Sequence, residues 1–173
     1  MKEIKVFSLD TRLGPFFGAV GPRGLVALTI PRKGKEQFLA RLARVAPGAR
    51  LVEVPARELP AGRWLERYLS GRRPGRLPAW ELLGVSPFTR QVLKEVAAIP
   101  YGETLSYGQI AARVGRPKAA RAVGRAVGSN PLPVVIPCHR VLGADGSLTG
   151  FGSGLATKRA LLELEAQGAP LLS

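Results

Sequence analysis

The only cysteine and the only histidine of the 173-residue chain stand side by side, in "IPCHRVL" at residues 136–142. A thiol and an imidazole are the side chains best suited to nucleophilic and base chemistry near neutral pH. A free thiol is only slightly ionised there, so a nucleophilic Cys138 needs a base or a positive field, and a base needs an acceptor that orients it. His139 is the candidate base. Glu165, on the last predicted helix, is the candidate orienting carboxylate. The plainer alternatives stay open: a lone cysteine is often an inert buried thiol, and Glu165 would then be an ordinary solvent-facing glutamate. "PVVIP" at 133–137 reads as extended, and successive side chains of an extended segment point to opposite faces. The sequence therefore suggests a relay from Cys138 to His139 through a water rather than direct contact. One cysteine excludes an internal disulfide, which fits a reducing, cytoplasmic setting, and one cysteine with one histidine excludes a four-ligand structural zinc.

The elements that must hold these residues follow from periodicity and turn chemistry. "IKVFSL", "FFGAV" and "LVALTI" read as strands, the last two joined by the turn "GPRG" at 21–24. "KEQFLARLARV" places Phe38, Leu39, Leu42 and Val45 at helical spacing and stops at Pro47–Gly48. "RLVEV" reads as another strand and "GRWLERYL" as a short amphipathic helix. The run "SGRRPGRLP" at 70–78 reads as a linker. Ser86–Pro87 predicts an N-cap and first helical residue, with Phe88, Val92, Leu93 and Val96 on the buried face. Ser106 with Gln109 predicts a capping box. Pro117 is expected to open the next helix and Gly128 to close it. "GLATKRALLELEAQG" reads as the final helix. No stretch is long and apolar enough to span a membrane, and "MKEIKVFSLD" lacks the pattern of a signal peptide.

Charge narrows the partner. The chain carries 26 Lys and Arg against 12 Asp and Glu, a formal net charge of +14, which favours a polyanion such as nucleic acid over a neutral substrate. A solvated basic surface is the plain alternative. Between Glu103 and Asp145 there is no acidic residue, and that gap holds Arg113, Arg116, Lys118, Arg121, Arg125 and Arg140. A helix over 106–114, a tight turn at Gly115–Arg116 and a helix over 117–127 have the spacing of a helix-turn-helix. Lys118, Arg121 and Arg125 would share a face of the second helix. The rest of it is small: Ala119, Ala120, Ala122 and Gly124. Close helix packing accounts for some of these alanines. A major-groove reader needs side chains that bond to base edges, and this helix offers few besides arginine. A smooth Ala/Gly surface suits close approach to the minor groove, with one arginine able to enter the base stack.

Two stretches, "RAVGRAVGSNPLPVVIPCHRV" with "GFGSGLATKRALLELE", and "IPYGETLSYGQIA", resemble the C-terminal domain of the O6-alkylguanine-DNA alkyltransferases over roughly residues 86–165. The first half resembles that family only in the order of strands and helices. The resemblance implies an α+β protein: an RNase H-like α/β domain over 1–78, then a mainly helical domain over 79–173 with a winged-helix-like helix-turn-helix. It implies a monomer with no cofactor and no obligate protein partner, acting on double-stranded DNA that contains O6-alkylguanine. Such a protein flips O6-methylguanine, or O4-methylthymine, out of the duplex. Its cysteine takes the alkyl group in a single displacement and keeps it.

The resemblance also implies residue roles. Cys138 is the acceptor, His139 deprotonates it through a water and Glu165 orients His139. Tyr107 shares a proton with the departing base, and Asn130 braces the turn before the cysteine. Arg121 fills the gap left by the flipped nucleotide. Pro133, Val141 and the segment Phe151, Gly152 and Ser153 line the base pocket. Phe151 stands where many relatives carry Tyr, Gly152 and Ser153 alter a loop that often reads differently, and Arg125 stands where a small residue is frequent. With neither Cys nor His in residues 1–80, the zinc site of some relatives is absent. Two competing readings remain at this point, a non-catalytic lesion-binding protein of the same fold and a cysteine hydrolase.

Overall fold

The structure, a computed structural model, describes residues 2–31, 33–150 and 154–172. It is a mixed α+β architecture of two compact units, Met1–Gly84 with Gln167–Ser173, and Val85–Ala166. Among the described residues no helix is long and apolar enough to cross a membrane.

The first unit is built on β1 (Glu3–Leu9), β2 (Phe16–Gly21), β3 (Gly24–Thr29), α1 (Gly34–Val45), β4 (Arg50–Glu53) and α2 (Pro60–Leu69). The sheet order is β3-β2-β1-β4. The first three strands form an antiparallel meander, and β4 returns parallel to β1 after the α1 crossover. Ile4, Val6, Ala19, Val26 and Ala27 pack under Phe38 and Leu42 of α1. Gly18 lies opposite Phe7 in the ladder, and any Cβ there would sit 2.2 Å from the Phe7 ring, so the aromatic ring occupies the space a side chain would fill. Pro60 begins α2, where its missing N–H costs nothing. Trp64 stacks on Tyr68 one turn later, with ring centroids 5.6 Å apart.

The Gly/Pro/Arg-rich segment 70–78 does not leave this unit. Leu25 donates to Ala79 O at 2.8 Å and Glu81 donates to Leu25 O at 2.9 Å, so the chain runs back beside β3. Gly24, at φ +123°, makes room for this: a Cβ there would lie 2.2 Å from the Ala79 carbonyl. The two compact units divide at Gly84/Val85. The C-terminal residues also belong to the first unit, where Leu171 donates to Leu69 O at 2.7 Å and accepts from Arg12 N at 2.9 Å.

The second unit contains α3 (Pro87–Ala97), β5 (Leu105–Ser106), α4 (Tyr107–Arg113), α5 (Ala120–Gly128), β6 (Val141–Leu142) and α6 (Leu155–Gln167), with a 3-10 turn over Cys138–Arg140. Ser86 caps α3 by accepting from Thr89 N at 3.1 Å. The capping box of α4 forms: Gln109 N donates to Ser106 Oγ at 3.1 Å, and Ser106 N donates to Gln109 Oε1 at 2.8 Å. The short strands β5 and β6 pair in parallel and bring the start of α4 beside the segment that follows the cysteine.

Three local expectations are corrected. Pro117 does not open α5. It lies in a turn closed by Ala119 N donating to Arg116 O at 2.9 Å, where its fixed φ suits the second position, and the helix starts at Ala120. Lys118 is therefore off the helix and shares no helical face with Arg121 and Arg125. Gly128 remains in the helix with no positive φ, and Ser129 caps it, donating through its hydroxyl to Ala126 O at 2.8 Å. Residues 133–136 are a turn rather than an extended strand, with Ile136 N donating to Leu132 O at 2.8 Å and Val134 at φ +75°.

Candidate acceptor-cysteine site

The turn before the cysteine is held by the chain's one asparagine. Asn130 donates through Nδ2 to Ile136 O at 2.8 Å and accepts at Oδ1 from Leu132 N at 2.9 Å. Both functions of the amide are used, each across a different span of the same turn. Val134 sits between these anchors in a region that a β-branched residue rarely adopts. Its burial and the two Asn130 bonds hold it there. The turn delivers Cys138 to the start of the 3-10 turn, with Cys138 N donating to Ile136 O at 2.8 Å.

Cys138 keeps 5 % of its surface and His139 none. His139 Nε2 lies 2.6 Å from Glu165 Oε1. Glu165 is not the solvent-facing glutamate of the plainer reading. It also accepts from Arg140 Nε at 2.9 Å and Nη2 at 2.8 Å, and from Gly102 N at 3.0 Å. Arg140 is fixed in turn by a bond from Nη1 to Ile99 O at 2.6 Å and lies 5.6 Å from the Tyr101 ring centroid. Burial alone would raise the Glu165 carboxyl, but hydrogen bonds and charge from His139 and Arg140 outweigh it and hold the group at about 2. An ionised carboxylate only accepts, so His139 Nε2 carries the proton and Nδ1 the lone pair. Burial lowers the His139 pKa, the Glu165 contacts opposing it, and the neutral imidazole is the form favoured near pH 7.

A second charged group, absent from the sequence-based candidates, lies on the same helix. Lys158 is fully buried, and its Nζ donates to Val141 O at 2.6 Å and to Thr149 O at 2.9 Å. Tyr107, the first residue of α4, donates its hydroxyl to the same Thr149 carbonyl at 3.0 Å, and Lys158 Nζ stands 5.9 Å from the Tyr107 ring centroid. Burial raises the Tyr107 pKa, as does the charge of Cys138, so the phenol keeps its proton at neutral pH. Burial lowers the Lys158 pKa, and the charge of Cys138 works the other way. The Cys138 sulfur is thus felt by both groups.

The structure brings together Cys138, His139, Glu165, Tyr107, Asn130 and Val141 within one unit, with Pro133 in the Asn130-braced turn. Phe151, Gly152 and Ser153 lie outside the described residues. Arg121 and Arg125 project from α5 into solvent, one turn apart, and Lys118 is exposed in the preceding turn. Ala119, Ala120, Ala122 and Gly124 are half-buried. A Cβ at Gly124 would come 3.9 Å from the Tyr107 ring, which places the α5 backbone close to the site. Sequence reasoning missed Arg140 and Lys158. A signal for Lys158 existed: it lies three residues before Leu161 and seven before Glu165, on the buried face of α6, where a lysine is out of keeping with an ordinary core.

Comparison with known proteins shows the family. The family model described as "6-O-methylguanine DNA methyltransferase, DNA binding domain" matches residues 87–167. The methylated-DNA–protein-cysteine methyltransferase of Methanosarcina barkeri is 39% identical over 161 residues, covering 91% of this chain and 94% of that protein. The Mycobacterium tuberculosis protein of the same name is 59% identical over 83 residues, 48% of this chain and 50% of that protein, so the alignment spans about half the length of that relative. The crystal structure of Mycobacterium tuberculosis OGT in complex with DNA superposes with a TM-score of 0.79 at 35% identity, covering 96% of this chain and 95% of that one. The matched residues 87–167 hold Cys138, His139, Glu165, Tyr107 and the whole of α5. The chain belongs to the methylated-DNA–protein-cysteine methyltransferase family.

Proposed function

We propose that the protein repairs alkylated duplex DNA by taking the alkyl group of O6-methylguanine onto Cys138, once per molecule and without a cofactor. O4-methylthymine carries the same O-alkyl group and is a second substrate. The observation that carries this reading is the buried chain Arg140–Glu165–His139 next to the one thiol of the protein. His139, neutral and presenting the lone pair of Nδ1, takes the Cys138 proton through a water, and the Glu165 carboxylate stabilises the imidazolium that forms. The thiolate attacks the methyl carbon and a C–S bond forms. The C–O6 bond breaks and its electron pair goes to the guanine ring. Tyr107, still protonated, supplies a proton to that ring. The product thioether is a poor electrophile, so the methyl group stays on sulfur and turnover stops at one.

The DNA side of the reading rests on α5. Arg121 enters the stack vacated by the flipped nucleotide while the half-buried alanines let the backbone approach the minor groove. Pro133 and Val141 line the pocket that takes the extruded base. The first unit is RNase H-like, and the second carries a winged-helix-like helix-turn-helix.

Intact-mass measurement after incubation with duplex carrying O6-methylguanine should show one added methyl group, mapped to Cys138. Cys138→Ala should take up none while still binding duplex. Methyl uptake by that variant would assign the nucleophile elsewhere.

A further inference from the structure

The first unit carries six arginines between residues 57 and 76, namely Arg57, Arg63, Arg67, Arg72, Arg73 and Arg76, against only Glu58 and Glu66. All six are exposed. None belongs to the acceptor-cysteine site, and the proposed chemistry uses none of them.

Hydrogen bonds tie together the segments that carry five of them, and Arg76 follows three residues after Arg73. Arg63 and Arg67 are four residues apart on α2 and share a face. Arg63 Nη1 donates to Arg57 O at 3.0 Å, joining the turn before α2 to that face. At the other end Arg67 Nε donates to Arg73 O at 3.0 Å, and Arg72 Nε donates to Ser70 Oγ at 3.2 Å. The turn that carries Arg72 and Arg73 is pinned from behind. Gly71, at φ +80°, packs so tightly that a Cβ would lie 2.2 Å from Gly168 O.

The partners of Arg63 and Arg67 in these bonds are main-chain carbonyls. A carbonyl orients a guanidinium without cancelling its charge, and each bond uses one of five donors. Elsewhere in the same unit Arg23 and Lys35 face the carboxylates of Glu81 and Glu53. A row of oriented, charged forks matches a row of phosphodiesters, which guanidinium binds through paired hydrogen bonds.

We infer that the arginine surface of residues 57–76 is a second binding site for the phosphate backbone of duplex DNA, separate from α5. The inference rests on duplex DNA being the partner of this protein. The surface adds affinity and association rate independent of sequence and of the lesion. It takes no part in alkyl transfer.

The test compares wild type with two fourfold variants at 63, 67, 72 and 76, one to Gln and one to Lys, using an undamaged duplex titrated across salt concentrations. The Gln variant should bind with a slope of log affinity against log salt shallower by about 0.9 for each phosphate it no longer neutralises. Its affinity near ~0.1 M salt should fall roughly tenfold or more. The Lys variant should retain the steep slope, and methyl transfer from free O6-methylguanine base should proceed at the wild-type rate in both. An unchanged slope in the Gln variant overturns the second site. So does a Lys variant whose slope flattens as the Gln variant's does, because the arginines would then act by holding the turn. A wild-type protein that binds no duplex at all sinks the DNA reading itself, which separates that failure from failure of this surface.

Discussion

Arg140 and Arg67 carry the same guanidinium in opposite settings. Arg140 is 7 % exposed, clamped across Glu165 and tied to the Ile99 carbonyl. Arg67 stands on an open helix face and touches a main-chain oxygen of the turn that follows. The contrast extends to their neighbourhoods. Around Glu165 every charge has a specific partner, and the cluster sets which atom of His139 holds a proton. Arg67 is held by a main-chain carbonyl, which orients the guanidinium without cancelling its charge. Buried charge in this protein decides protonation and geometry, whereas exposed charge supplies attraction. The energetics differ accordingly: breaking a buried pair strands its partner in a low dielectric, and deleting an exposed cation costs little stability.

The comparison breaks most visibly at Glu165. Glu165→Gln leaves Arg140 and His139 without their counter-charge, and urea denaturation at pH 7 should show a loss of about 3–5 kcal/mol. The fourfold arginine-to-glutamine variant of the first unit should lose far less. Acid separates the two regions further. The Glu165 pKa is lowered from 4.5 to about 2, so its contribution is fully present above pH 4.5 and disappears as pH falls toward 2. That shift corresponds to about 3 kcal/mol. The His139 pKa is also lowered from 6.5, so the unfolded chain takes its proton first and stability begins to fall below that pH. In Glu165→Gln the lower limb should vanish, and in the surface-arginine variant it should be unchanged. A wild-type protein equally stable at pH 7 and pH 3 would deny the buried cluster its assigned role.

Lys158→Met sharpens the contrast within the buried set. It removes a donor from the Val141 and Thr149 carbonyls, a cost of about 1–3 kcal/mol by thermal melting. It also removes a cation felt by Cys138. Methyl transfer should slow roughly tenfold or more, and the pH profile of thiol alkylation should move upward. An unmoved profile would reduce Lys158 to a tie between two loops. The smallest expected difference lies at the exposed end of the second unit. Arg121→Ala should slow lesion transfer about tenfold, whereas Lys118→Ala, off the helix, should weaken binding only a few-fold and uniformly across sequences. Equal effects would make Arg121 one more phosphate contact.

Much of this was legible in the chain. Ser106 and Gln109 announce a helix start by their spacing because a capping box needs only local geometry. The strands of the first unit follow from their apolar composition and the turn at 21–24. The helix at 117 was misplaced because proline suits a turn as well as a first helical position, and only the Arg116–Ala119 bond distinguishes them. The segment before Cys138 looked extended because its residues favour strands. Asn130, gripping both ends, overrides that preference. Segment 70–78 has the composition of a linker yet returns to the sheet, since composition cannot report that Gly24 leaves space for a distant carbonyl.

What the sequence determined by itself was the inventory: one thiol, one imidazole, one asparagine in the turn before them, a charge excess that favours a polyanion, and the local signals that begin and end helices. These depend on residue type and short spacing. The tertiary structure alone decided that Glu165 is buried rather than solvated, that Arg140 clamps it while Lys158 ties Val141 to Thr149, and that the proton of His139 sits on Nε2. Those outcomes turn on distances between residues up to 63 positions apart, as between Gly102 and Glu165. The energy of a charge depends on what surrounds it more than on where it stands in the chain.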